Sequence, residues 1–147
     1  MGLVHAVVTT EPLDVGFHAG AVLTPRAGAL VTFTGVIRDH DPEASGEVVG
    51  IDYSHHPDAR AILVRIAERV LAEHDPRGEA SVAVSHRVGH LGVGEVALAC
   101  AVATPHRAEA FALCEALVEA VKAELPIWKH QTEASGRTVW SNWGSDA

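Results

Sequence analysis

The chain is poor in lysine and cysteine, short of basic charge, and without any long apolar run; each shortage removes a class of function. Eleven basic residues face 19 acidic ones, a net charge of −8, whereas a nucleic-acid surface normally carries a basic excess. Nucleic acid is therefore not an expected partner, and an anionic ligand requires a local cluster of cations. No stretch reaches the roughly 18 apolar residues of a membrane helix. The opening Met1 to Val8 carries no basic leader before an apolar run, so the expectation is a soluble, cytoplasmic protein without a membrane partner. The two cysteines, Cys100 and Cys114, lack Cys-x-x-Cys spacing and sit in apolar periodic segments, as buried reduced thiols do. If the chemistry involves sulfur, the sulfur comes from a donor, with Cys100 as a minor alternative. No phosphate-loop sequence is present, which argues against ATP activation. The ten histidines include no His-x-x-x-His helix motif, and neither a metal nor a cofactor is expected. Nine of the basic residues are arginine, and the only lysines are Lys122 and Lys129, seven positions apart. Ammonium can lose its proton near neutrality and guanidinium cannot, so two isolated lysines invite a chemical reading, although chance competes with it.

With 147 residues, nearly half apolar, and no low-complexity tract, repeat or linker, the sequence fits one domain over 1–147. Leu3 to Thr9 reads as a strand and Pro12 to Ala21 as a short helix. Ala29 to Ile37 is a β-branched strand closed by Asp39-His40-Asp41-Pro42, from which a mobile loop runs to Gly46. Glu47 to Ser54 alternates as a strand, with Val49, Ile51 and Tyr53 on one face. A helix follows with Pro57 in its first turn and Ile62, Leu63, Ile66, Val70 and Leu71 as its stripe, ending at Asp75-Pro76 and Gly78. Ala80 to Val88 and Glu95 to Thr104 read as strands joined by a glycine-rich connection. The second long helix carries Ala110, Phe111, Cys114, Leu117, Val118, Val121 and Leu125 at helical spacing, with Thr104 as a cap, Pro105 in the first turn and Pro126 as the stop. Ile127 to Glu133 and Thr138 to Trp143 complete the pattern. This order predicts an α+β fold, a two-layer sandwich of largely antiparallel sheet with two main helices on one face.

Cations recur at element ends, where sites are commonly built. Arg38 closes a strand, and His106-Arg107 open a helix whose free N–H groups and dipole favour an anion. Lys122 lies in that helix's last turns, and Lys129 follows the Pro126-Ile127-Trp128 break. Together they suggest a pocket for a phosphorylated small molecule. Each also has an ordinary reading: Arg38 as a solvated strand-end charge, His106-Arg107 as an exposed first turn, Lys122 as a complement to the helix dipole, and Lys129 as a solvated turn residue. Trp128, Trp140 and Trp143 read as core or subunit-interface residues.

Four segments resemble, in order, the large, catalytic subunit of molybdopterin synthase, the MoaE family. They are Gly28 to Arg38 with its Phe-x-Gly-x-x-Arg piece, Ile51-Asp52-Tyr53 leading to Pro57, Pro105 to Phe111, and Lys122 followed by Leu125-Pro126-Ile127-Trp128-Lys129. The likeness spans about Gly28 to Trp140. It implies an α/β-hammerhead-like fold and a sulfurtransferase that converts cyclic pyranopterin monophosphate to molybdopterin. Two sulfurs would come from a small ubiquitin-like carrier subunit with a thiocarboxylated C-terminal Gly-Gly, within a heterotetramer built on a homodimer of the large subunit. The resemblance assigns catalysis to Lys122 and Lys129, and substrate contact to Val36, Ile37, Arg38, His106, Arg107, Lys122, Lys129, His130 and Gln131.

The physics fits those roles. Thio-acid and phosphate are two anions brought together, which clustered cations neutralise. A lysine crowded by cations has a lowered pKa and can exchange protons near neutrality; Lys122 is cast as the acid–base or tail-contacting group and Lys129 as an electrostatic partner to the substrate. The sequence departs from the commoner pattern at Val36, where some relatives are basic, at His56, where tyrosine is usual, and at His130-Gln131, which replace a basic–acidic pair. Arg137 does not align securely with an arginine near the relatives' C-termini. The loop from Asp39 to Gly46 is expected to order over substrate. Composition alone also permits a non-catalytic sensor of a phosphorylated metabolite, or a structural subunit docking through its tryptophans.

Overall fold

The computed structural model describes residues 2–42, 44 and 46–141. The strands are β1 (Gly2–Thr9), β2 (Ala29–Val36), β3 (Val48–His55), β4 (Ser81–Arg87), β5 (Gly89–Gly92), β6 (Val96–Thr104), β7 (Ile127–Glu133) and β8 (Thr138–Ser141); the helices are α1 (Val15–Val22), α2 (Ala59–His74) and α3 (Arg107–Glu124). The part of the last expected strand beyond Ser141, with Trp143, lies outside the described residues. The strands divide into two four-stranded sheets, ordered β1-β4-β6-β2 and β5-β3-β7-β8. Pairing is antiparallel except between β1 and β4.

The first sheet is covered on both faces, which is why its inner strands read as nearly unbroken apolar runs. Val82 and Val84 of β4 and Leu98, Cys100 and Val102 of β6 pack beneath α2 and α3 in the main core. The alternate residues Ala83, Ala101 and Ala103 meet Val22 of α1 on the other face. Small side chains there let α1 approach closely. A buried link fixes it: His18 Nδ1 donates to the Asp14 carbonyl at 2.6 Å, and Nε2 accepts from the Ser85 hydroxyl at 2.7 Å. The two long helices thus share one face, as the sequence indicates, while α1 adds a layer on the other. In α2, Leu63, Ile66 and Val70 are buried. Arg69 on α2 makes a two-pronged ion pair with Glu124 on α3, one prong at 2.6 Å.

Local departures have physical causes. Phe111, counted in the α3 stripe, is 61% exposed, and Leu113 takes the core position. The strict alternation of β3 fails at Val49. Val48 pairs with Glu133 and Gly50 with Thr132, so Val49 is an extra residue, a bulge; Val48 and Ile51 are then both buried while Val49 faces out. The connection after β4 pairs with β3 as the short strand β5. Thr104 does not cap α3: its hydroxyl donates to the His106 carbonyl at 2.6 Å, and His106 is the N-cap, without a side-chain hydrogen bond. Gly28 hydrogen-bonds the Thr104 carbonyl at 3.0 Å, and a Cβ there would run into the Pro105 carbonyl oxygen.

Candidate active site

Where the second sheet meets the end of the first, beneath the C-terminal end of α3, lies a cavity of about 790 Å³. Arg38, just past the end of β2, Lys122 of α3 and Lys129 of β7 all line it, so both lysines and one arginine of the motifs share one space. The strand registers explain the meeting. Between Gly35 and Val36 the β2–β6 pairing shifts by one residue, and Ile37 then bonds Glu95 and Gly94 through its backbone at 3.0 and 2.8 Å. This turns the Ile37 side chain into the small core with Val48, Ile51, Leu91 and Ala97 and leaves Arg38 at the rim. On the other wall, Lys129 stands opposite Tyr53 across β3 and β7, and Gln131 opposite Ile51. Pro126 stops α3, so the chain re-enters as β7 and returns Lys129 beside the helix end carrying Lys122.

The cavity's charges are unequal. Arg38, His40, Lys122 and Lys129 supply positive or protonatable groups, and Asp41 and Glu119 negative ones. Lys129 Nζ lies 3.4 Å from Asp41 Oδ2, and with side chains only 19% and 14% exposed this pair is less screened than a surface one. Lys122 is pushed below the usual lysine range, first by loss of water and then by Lys129 and Arg38, with Glu119 opposing. Because Lys122 retains solvent contact, screening limits the effect. Deeper in, Tyr53 is held up at about 12 by burial and by negative Asp41. Its ring meets that of His86 edge-on, with centroids 5.1 Å apart. Burial pushes His86 down to about 4, against a backbone hydrogen bond to Arg87 and with help from Lys122.

Residues 8–124 match the model of the MoaE protein family. The chain belongs to the MoaE family. It is 34% identical over 130 residues to molybdopterin synthase catalytic subunit 1 of Mycobacterium tuberculosis, covering 88% of this chain and 85% of that one. It is 35% identical over 135 residues to the molybdopterin synthase catalytic subunit of Cereibacter sphaeroides, covering 90% and 88%. The crystal structure of molybdopterin synthase from Staphylococcus aureus shares the fold, with a TM-score of 0.81 and 25% identity over 91% of this chain and 94% of that one.

Not every position expected of a MoaE family site reaches the cavity. Val36, Ile37, Arg38, Lys122, Lys129 and Gln131 line it; His106, Arg107 and His130 do not. His130 points the other way from β7 and stacks on Trp140, centroids 4.3 Å apart and 11° from parallel. His106 and Arg107 are exposed at the opposite end of α3, about 22 Å along the axis from Lys122 at a rise of about 1.5 Å per residue. The five cations therefore do not meet within one chain: the helix separating them is too long. Asp41, Tyr53, His86 and Glu119 were not singled out from the sequence as site residues. Tyr53 could have been found from its register opposite Lys129 and His86 from its place in the inward row of Val82 and Val84 on β4; Asp41 and Glu119 carry no such signal.

Both cysteines are buried, with Cys100 Sγ 4.0 Å from Cys114 Sγ. Its hydrogen bond with the Cys114 thiol and burial push the Cys100 thiol up, the reverse of a reactive thiolate. Among the described residues no helix is long and apolar enough to cross a membrane.

Proposed function

We propose that this cavity is where cyclic pyranopterin monophosphate receives two sulfurs and becomes molybdopterin, the chain acting in the cytoplasm as the catalytic subunit of a molybdopterin synthase. The donor is a small ubiquitin-like carrier whose thiocarboxylated C-terminal tail enters the cavity beside the pterin. What supports the reading is one observation: the chain's only two lysines stand with Arg38 around a single cavity. The family relatives are themselves named catalytic subunits, which fits a separate sulfur donor.

The residues then divide the work. Arg38 and Lys129 offset the repulsion between phosphate and thiocarboxylate, so that sulfur can approach carbon. Asp41 holds Lys129 in place before the anions arrive. Lys122, with its depressed pKa, exchanges protons with the reacting groups near neutral pH. His106 and Arg107 enter the same scheme through a homodimer, in which those of a second copy complete each cavity, and two carriers bind to make a heterotetramer. An exposed apolar surface accompanies both ends of such a contact: Val36 at the cavity mouth and Leu30 on edge strand β2 are 53% and 40% exposed, and Phe111 lies one turn beyond Arg107.

The test is reconstitution from purified chain, thiocarboxylated carrier and cyclic pyranopterin monophosphate. Molybdopterin should form at a rate that saturates in both partners. Tight binding of the pterin without turnover would instead favour a metabolite-sensing module.

A further inference from the structure

His86 occupies a place where the strand pattern calls for an aliphatic residue. Val82 and Val84 precede it on the same face of β4, both fully buried under α2 and α3, and the next inward position would ordinarily continue the row. The imidazole instead forms part of the cavity wall, together with Tyr53 and Lys122. Its Nδ1 lies 2.7 Å from the Arg87 carbonyl oxygen. A carbonyl only accepts, so Nδ1 carries the hydrogen, and in the neutral ring Nε2 is left as an acceptor. Among the described residues nothing hydrogen-bonds Nε2. The edge-on contact with Tyr53, rings 77° apart, fixes the imidazole plane. His86 keeps partial exposure toward the cavity it lines, and valine or phenylalanine would fill the same place in the row without a polar atom.

We propose that His86 is a substrate-contacting residue, its Nε2 accepting a hydrogen bond from an N–H or O–H donor of the molecule that fills the cavity. This rests on the reading of the cavity as a pterin site. A pterin presents ring N–H and amino donors, whereas phosphate and thiocarboxylate present acceptors alone, and these belong with Arg38, Lys122 and Lys129. The cavity is thereby divided into a cationic part that holds anions and an uncharged wall that orients the ring. A neutral imidazole suits that wall: a charged one would offer no acceptor and would repel Lys122, and burial keeps the ring uncharged.

The test uses the full chain with 15N-labelled histidine. His86 should show the tautomer protonated at Nδ1 across about pH 5–8. Cyclic pyranopterin monophosphate should move its Nε2 resonance in the direction of an accepted hydrogen bond, and inorganic phosphate alone should not. In the reconstituted synthase, His86→Phe should raise KM for the pterin about tenfold to a hundredfold and leave KM for the thiocarboxylated carrier unchanged. His86→Gln, whose amide oxygen can accept, should recover part of that loss. An Nε2 resonance unmoved at saturating pterin, or a His86→Phe pterin KM within about twofold of the parent, overturns the proposal. If that happens while the unaltered chain still makes molybdopterin, the synthase reading stands and only His86 loses its role. If the unaltered chain neither binds the pterin nor makes product, both fall together. Should His86→Phe fail to fold, the resonance in the unaltered chain decides.

Discussion

The two ends of α3 carry the same kind of charge in opposite surroundings. At the C-terminal end Lys122 meets its own chain's cavity, loses water there, and is crowded by Lys129 and Arg38. At the N-terminal end His106 and Arg107 are exposed, and among the described residues neither has an ion-pair partner. The helix dipole favours cations at the first end and anions at the second. Lys122 is thus placed where its charge is tolerated, while the N-terminal pair sits beside N–H groups without a side-chain cap, where, on the function proposed above, an anion would be received. A cation's place along a helix identifies its work only when its neighbours are known.

The largest effect that could break this contrast is a loss of catalysis. Lys122→Ala and Arg107→Ala should each cut molybdopterin formation by about a hundredfold or more, the scale of removing a group that stabilises developing charge. Mixed and re-equilibrated, the two inactive variants should recover roughly a quarter of the parent rate, because half the dimers would then hold one intact cavity. No recovery would mean that the two ends of α3 do not serve a shared site. Next in size is Gly28→Ala. Its new methyl group would push on the Pro105 carbonyl, at a cost of about 1–3 kcal/mol in denaturant unfolding. The damage should fall on the Arg107 end, leaving the depressed Lys122 titration unchanged.

Smaller effects are read through pH. His86 sits folded at about 4 against an ordinary 6.5, so the unfolded chain takes up a proton first as pH falls. Stability should be complete above 6.5 and erode toward 4, and His86→Phe should flatten that limb in chemical denaturation. Lys122 has the corresponding sign at high pH. Its folded pKa lies below its unfolded one, so the parent should gain stability as pH rises through that window, and Lys122→Met should not. At neutrality Lys122→Met should be slightly more stable than the parent, by less than about 1 kcal/mol after solvent screening. The smallest effect belongs to Arg69→Ala. Arg69 and Glu124 are half-exposed, so removing their pair near the C-terminal end of α3 should barely move the denaturant midpoint and leave turnover intact.

Much of this arrangement is legible in the sequence because it is periodic or punctuated. β7 has the limits the sequence suggests, since Pro126 and the Ser135-Gly136 turn bracket it. The stripes of α2 and α3 emerge from spacing, apart from Phe111, which spacing alone cannot tell from a contact surface. Val49 escapes because a bulge breaks the two-residue rule without any mark in composition. Arg38, Lys122 and Lys129 stand out through rarity and resemblance. Asp41, Tyr53 and His86 become neighbours only where the two sheets and the segment after β2 pack together, and such packing leaves no local trace. His106 and Arg107 are visible as residues, but nothing local in the sequence tells that the length of α3 sets them apart from the lysines.

The cavity's walls come from β2 and the segment after it, β3, β4, β6, α3 and β7, so it exists only after both sheets have docked. Distant pairings close late in folding because the chain must first be brought together over long separations. On refolding from denaturant, helical signal should therefore return before the capacity to make product, and an unfinished molecule would have nowhere to admit the reactive sulfur.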